Sequence, residues 1–381
     1  MNNTGIHHIS SLVGNIHQAY HFYHHILGLK LTLKTVNQED SSMYHLFFGD
    51  DEGRYGTEFT IFDMPNHLSH RPGSNRLERT VFLVKDVAAL EFWQKRLTEF
   101  EVENEGIQAF GNGHILNFQD EDGQLLGLTY HDLIGEMFPY ETDEISSEYA
   151  ILGIASLHMR IREEKALLSL LTETFGFVEE SRFFFEDKMV ISLLFDNTFQ
   201  HRLYLILDQE SPISVMGVGS IHHIAFGVLD ESDLEDLISR LNLINRPHSG
   251  IINRDFMHSL YFRAPNYLMF EVATMAGERE ATMPRQDKQL DNVELFLPSF
   301  FEEDRQEIEK KTLPALLGEM KYGLLLYQRD QSPSLGLFPR NRWQKGIHAL
   351  SPPTAGSKSF CPFLGWKLGS RQGKAFLCTS H

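Results

Sequence analysis

Cysteine is nearly absent from this chain: 381 residues contain two, Cys361 and Cys378, both near the end. That excludes a disulfide framework from the main body and makes a reducing cytoplasm the expected compartment. Long apolar runs are missing as well, so no membrane span is expected. The start, Met1-Asn2-Asn3-Thr4-Gly5, has no basic and apolar leader, and no signal peptide is expected. Basic charge is scarce, with 34 Lys and Arg against 52 Asp and Glu, a net charge of −18. The deficit is uneven. After Met320 nine Lys/Arg face one acid, Asp330, a local +8 that leaves −26 on residues 1–320. So acidic a body repels phosphate backbones, which excludes nucleic acid as the expected partner. With 42% hydrophobic and 23% charged residues, the composition is that of an ordinary soluble globular protein.

What the chain does contain is repetition. His8 precedes Gly28 by the same twenty positions that separate Ser156 from Gly176. Each Gly stands where a helix C-terminus needs a residue tolerant of positive φ. The run Phe118 to Gly127 parallels Phe262 to Glu271, both reading as strand, turn, strand. Helical patterns cover Ile16–Leu27, Asp86–Leu97, Glu163–Thr174 and Ser232–Leu241. Four modules are therefore expected, near 4–64, 78–135, 152–210 and 218–276. Their expected grouping is one domain over 1–140 and a second over 150–280. A closing arm is expected over 285–317. An irregular basic tail of unassigned role follows over 321–381.

One phrase opens two of the modules: Ile6-His7-His8-Ile9 and Ile221-His222-His223-Ile224. A single carboxylate, Glu271, sits in the apolar strand-like run Leu268-Met269-Phe270-Glu271-Val272. Two imidazoles and one carboxylate suit a mononuclear non-haem Fe(II) centre with open positions. A lone buried Glu is costly unless it is paired or bound to a cation. Strand alternation puts His8 and Ser10 on one face and His7 on the other, and likewise separates His223 from His222. One His of each pair can then bind metal while the other packs behind the sheet. His17, His21, His24 and His25 also fall at helical spacing but read as a polar surface face. The Lys34–Asp40 run reads as structural, with Asn37 and Asp40 shaping a turn, and Gly111-Asn112-Gly113 as a turn.

The phrases Gly5-Ile6-His7-His8-Ile9-Ser10, Lys34 to Asp50, Val218 to Phe226 and Ser259-Leu260-Tyr261-Phe262-Arg263 resemble one family closely. It is the vicinal oxygen chelate superfamily (glyoxalases, bleomycin resistance proteins, extradiol dioxygenases), in its ring-cleaving, hydroquinone-type branch. The resemblance covers residues 4–317. It implies an α+β fold of four βαβββ modules, paired into two domains with open, mixed, barrel-like sheets. Carried over by position, the metal ligands are His8, His223 and Glu271, holding Fe(II), with Mn(II) as the alternative. Ser156 and Gly127 stand at the corresponding places of the other modules, which accounts for a single centre. His7 and His222 are implied to contact the ligands from behind. Arg254 and Tyr261 match positions that manage charge and protons, and His258 has the parity of Arg254. Strict alternation separates positions 254 and 261, so both reach one site only across a bulge or loop.

The reaction the resemblance implies is extradiol-type cleavage of a hydroquinone or catechol by O2, with quinone detoxification as its setting. The expected partners are a small aromatic diol and O2, and self-association into a homo-oligomer is left open. A metal-dependent glyoxalase-like isomerase or lyase is the first alternative. It calls for a further carboxylate, for which Glu58 is the candidate. A non-catalytic quinone- or drug-binding protein is the second.

Overall fold

The computed structural model describes residues 1–275 and 289–312, which belong to one compact unit. The tail over 321–381, with both cysteines, lies outside the described residues. Four βαβββ modules follow in order. The first contains β1 (Asn3–Val13), α1 (Ile16–Tyr20), β2 (Lys30–Val36), β3 (Tyr44–Gly49) and β4 (Glu58–Asp63). The second contains β5 (Arg76–Leu83), α2 (Val87–Glu99), β6 (Asn104–Phe110), β7 (Gly113–Gln119) and β8 (Leu125–Thr129). The third contains β9 (Gly153–Ile161), α3 (Lys165–Ser169), β10 (Val178–Phe185), β11 (Lys188–Leu194) and β12 (Arg202–Leu207). The fourth contains β13 (Ser220–Val228), α4 (Glu231–Leu243), β14 (His248–Asn253), β15 (His258–Arg263) and β16 (Met269–Thr274).

Local chemistry sets these boundaries. Asp86 and Asp230 cap α2 and α4 by accepting from the backbone N–H of Ala89 and Ser232. Both α1 and α3 widen into a π-helical turn, His21–Ile26 and Leu170–Thr174. Gly28 and Gly176 then take φ of 64° and 74° to end them, as their matched spacing predicts. The π turn also corrects one expectation. Its extra residue turns His24 inward, where the ring is buried and Nδ1 lies 2.8 Å from the Leu29 carbonyl. The four helical histidines are thus not a uniform surface face.

The modules pair crosswise. One eight-stranded sheet has the order β14-β15-β16-β13-β1-β4-β3-β2, the other β10-β11-β12-β9-β5-β8-β7-β6. The first sheet joins modules one and four, and the second joins two and three. The expected grouping into 1–140 and 150–280 therefore does not describe the sheets. The reason lies in which strand edge is free. Each leading strand pairs in parallel with the last strand of its own module, as β1 does with β4. Its remaining edge is filled antiparallel by the leading strand of another module, β1 by β13 and β5 by β9. Helix faces pack on the sheets in one contiguous apolar core that includes Trp93, Leu237, Ile9 and Phe226. The described part of the closing arm crosses β2. Buried Lys34 donates to the carbonyls of Leu290 and Val293 at 2.9 and 3.0 Å, and Phe296 N–H donates to the Lys34 carbonyl.

Candidate metal centre

The crosswise pairing brings β1, β13 and β16 side by side in the middle of one sheet. Cross-strand register sets Ala225 beside both His8 and Glu271. His8, His223 and Glu271 are all buried and face one another. His8 Nε2 lies 3.2 Å from His223 Nε2 and 3.3 Å from Glu271 Oε2, and His223 Nε2 lies 2.9 Å from the same oxygen. A six-coordinate ion with bonds of about 2.1 Å sets adjacent donors about 3.0 Å apart. The three atoms fit that spacing.

Electrostatics point the same way. Burial alone would raise the Glu271 pKa, but His8 and His223 outweigh it and hold the group well below the usual carboxylate range. Its Oε2 is shared by both imidazole nitrogens, so the three groups converge on one point. A cation at that point would offset the cost of burying the carboxylate. Burial lowers the pKa of His223, which favours the neutral imidazole that a metal requires.

The neighbouring histidines are placed by two bulges. Along the β1–β13 pair the register slips between Ile6 and His8, leaving His7 extra. It slips again between His223 and Ile221, leaving His222 extra. A bulge re-aims a side chain that alternation would send to the far face. His7 Nδ1 thereby lies 2.9 Å from His8 Nδ1, and His222 Nδ1 lies 2.8 Å from His223 Nδ1. His7 and His222 thus each touch the neighbouring imidazole. An imidazole that turned an Nε2 lone pair to the centre would carry its proton on Nδ1, where the neighbouring ring nitrogen lies at hydrogen-bond distance.

Arg254 lies on the loop after β14, so strand parity does not govern it. Its guanidinium stands 5.2 Å over the Tyr261 ring and 2.6 Å from Glu39 Oε1. Tyr261 is the cross-strand neighbour of Glu271, with its ring 5.8 Å from that of His223. Burial pushes its phenol pKa up, and Glu271 pushes it further, so Tyr261 stays a proton donor. His258 is a correction. It alternates away from Tyr261, and its Nδ1 pairs with Glu231 at the start of α4, 3.0 Å away. The parity it shares with Arg254 is irrelevant once Arg254 lies on a loop. Glu58 is buried, and its Oε1 accepts from the Thr32 hydroxyl at 3.3 Å. It does not join the three-donor cluster.

Two groups escaped the sequence reading. Gln38 and Glu39, taken as part of a structural run, reach across to Arg254 from the loop between β2 and β3. His45, on β3, carries no motif of its own. Its Nε2 lies 2.8 Å from Thr60 Oγ1, and Thr60 touches Ser10 at 2.7 Å. Only the curl of the sheet brings either near the centre.

The second sheet repeats the register without the donors. Val81 stands beside Ser156 and Gly127, as Ala225 stands beside His8 and Glu271. Arg79 takes the place of His223. Phe110, His158 and Tyr204 fill the space there, with ring centroids 4.8–5.0 Å apart.

Comparison with known proteins shows the family and the fold. A model of the Glyoxalase/Bleomycin resistance protein/Dioxygenase superfamily matches residues 5–128. The "Putative ring-cleaving dioxygenase MhqA" of Bacillus subtilis strain 168 is 34% identical over 318 residues, 81% of this chain and 98% of that protein. The "Chlorohydroquinone/hydroquinone 1,2-dioxygenase" of Sphingobium indicum is 24% identical over 287 residues, 72% of this chain and 86% of that protein. A crystal structure of a "putative dioxygenase" from Bacillus subtilis superposes with a TM-score of 0.73 at 26% identity, covering 81% of this chain and 96% of that one. Glyoxalase I of Zea mays gives a TM-score of 0.51 at 13% identity over 71% and 92% of the two chains, a likeness of fold alone.

Proposed function

Because this chain belongs to the glyoxalase/bleomycin resistance protein/dioxygenase superfamily, we propose that it is an Fe(II)-dependent, extradiol-type dioxygenase that opens the ring of a hydroquinone- or catechol-type diol with both atoms of O2. The observation that carries this reading is the buried triangle of His8 Nε2, His223 Nε2 and Glu271 Oε2. Three donors on one side leave the other side for substrate and dioxygen. When bound there, Fe(II) supplies a Lewis acid for the ionised phenol and a route for electrons from ring to O2.

The protein's own residues do the rest. His7 and His222 fix the tautomer and orientation of the two ligand imidazoles through the Nδ1 contacts. Arg254 places a cation beside the oxygen that loses its proton when the diol binds. Tyr261, kept protonated, donates to oxygen that gains charge as the ring is attacked. Phe47, Phe256, Met257 and Leu33 wall the site with apolar surface that suits an aromatic ring.

The isomerase alternative requires a further carboxylate beside the three donors. By the register of β1 with β4, the counterpart of Glu271 in the first module is Thr60, which cannot supply it. The test is oxygen uptake after anaerobic Fe(II) loading, with methylhydroquinone and catechol in parallel. Uptake matched to a ring-opened chromophore, and abolished in Glu271→Ala, is expected. Tight Fe(II) binding without uptake on either diol would move the assignment to the isomerase or the binding protein.

A further inference from the structure

His45 lies on β3, two strands from β1 in the curled sheet that carries the donors. Its ring is held between Phe47 at 4.2 Å and Phe62 at 4.0 Å, nearly parallel to the latter. Phe62 stands 6.3 Å from His223, and Phe47 stands 6.5 Å from His8. The aromatic wall thus runs from the two ligand imidazoles out to His45. The curl closes this wall on the far end of the sheet, where Phe47 meets Phe256 at 5.9 Å, two residues from Arg254. Polar groups therefore flank the centre on two sides: Arg254 and Tyr261 on one, His45 and Thr60 on the other.

The two ring nitrogens of His45 differ. Nε2 is engaged with Thr60, whose hydroxyl reaches Ser10. With Nε2–H donating to Thr60 and Thr60 donating to Ser10, Nδ1 keeps a lone pair. No partner for Nδ1 is present among the described residues, and the residue is half-buried.

We propose that His45 Nδ1 accepts a hydrogen bond from the second hydroxyl of a para-diol whose first oxygen binds at the three-donor centre. His45 is then a substrate-binding residue that selects a free hydroxyl at that position. The proposal rests on the reading of the centre as a diol site. A para-diol carries its second oxygen across the ring, away from the centre, whereas an ortho-diol can set both oxygens on it. The wall opposite Arg254 and Tyr261 is where such an oxygen finds an acceptor. Burial holds the His45 pKa well below its ordinary value, so the acceptor is neutral throughout the neutral range.

The experiment measures anaerobic binding of hydroquinone and of 4-methoxyphenol to the Fe(II)-loaded protein by calorimetry. The ether keeps one phenol for the centre and removes the second hydroxyl's proton. Hydroquinone is expected to bind the unaltered protein about ten-fold more tightly. His45→Phe keeps the stacked ring and should abolish the preference, with metal content and melting temperature unchanged. Should that variant fail to fold, Thr60→Val serves instead. It leaves the imidazole in place, frees its tautomer and should reduce the preference about three-fold. Equal binding of the two ligands by the unaltered protein, or a full preference retained in the variants, overturns the assignment of His45 and leaves the centre standing. Failure of the metal-loaded protein to bind either phenol overturns the diol reading, and the His45 assignment with it.

Discussion

His222 holds its Nδ1 2.8 Å from the Nδ1 of His223, although the two are consecutive residues of a strand. The bulge at His222 makes this contact available, and the bulge at His7 repeats it for His8. Were His223 and His8 to hold a metal through Nε2, the contact would give each ring's N–H a partner. His222→Ala removes that partner and should weaken Fe(II) binding about ten- to a hundred-fold, and His7→Ala likewise. Equilibrium competition with a chromophoric chelator measures it. Unchanged affinity in both variants would assign the two residues to packing alone.

Glu39 neutralises Arg254 from another module at 2.6 Å. Glu39→Gln keeps an acceptor for the guanidinium and deletes the charge. On the proposed substrate reading, the Arg254 cation would then act more fully on the phenol and favour its ionisation. The acid limb of the kcat/KM profile should move to lower pH by about half a unit. An unmoved limb would mean that Arg254 exerts no field on the reacting oxygen.

Tyr261 should separate chemistry from metal binding. Tyr261→Phe keeps the ring beside His223 and removes the proton. A fall in kcat of about a hundred-fold is expected, with Fe(II) affinity unchanged. A variant that loses iron instead would show Tyr261 to be a support of the centre.

The ring-filled counterpart of the centre makes a stability prediction. His158 is buried against Phe110 and Tyr204, and burial, followed by the charge of Arg79, pushes its pKa down to about 3. Between that value and an unfolded value of about 6.5, only the unfolded chain binds the proton. Stability should therefore rise with pH across this window and be lost on acidification, with His158 contributing about 1.4 kcal/mol per pH unit. His158→Phe should flatten the slope of unfolding free energy between pH 4.5 and 6 by about that amount. An unaltered slope would contradict the neutral, buried assignment.

The cluster of His8, His223 and Glu271 was legible because each member sits in a repeated phrase or stands out from it. His8 and His223 recur at one position of two modules, and Glu271 interrupts an apolar strand. Gly127 and Ser156 were legible as their missing counterparts. The contacts of His7 and His222 were not legible from alternation, which has period two, because a bulge breaks it and no residue type marks that bulge. His258 was favoured by counting parity from Arg254, which lies on a loop where parity does not hold. His45, Glu39 and the crosswise sheets escaped because they depend on strand order and curl, relationships between segments up to about two hundred residues apart.

The most direct test is the fate of dioxygen itself. The Fe(II)-loaded protein is given a single turnover of methylhydroquinone under 18O2. It is then quenched with borohydride so that aldehyde oxygen cannot exchange with water, and the product is read by mass spectrometry. Two heavy oxygens in one ring-opened product, absent in Glu271→Ala, are the result expected of a ring-cleaving centre built on His8, His223 and Glu271. A product with no heavy oxygen, or an intact quinone, would contradict it.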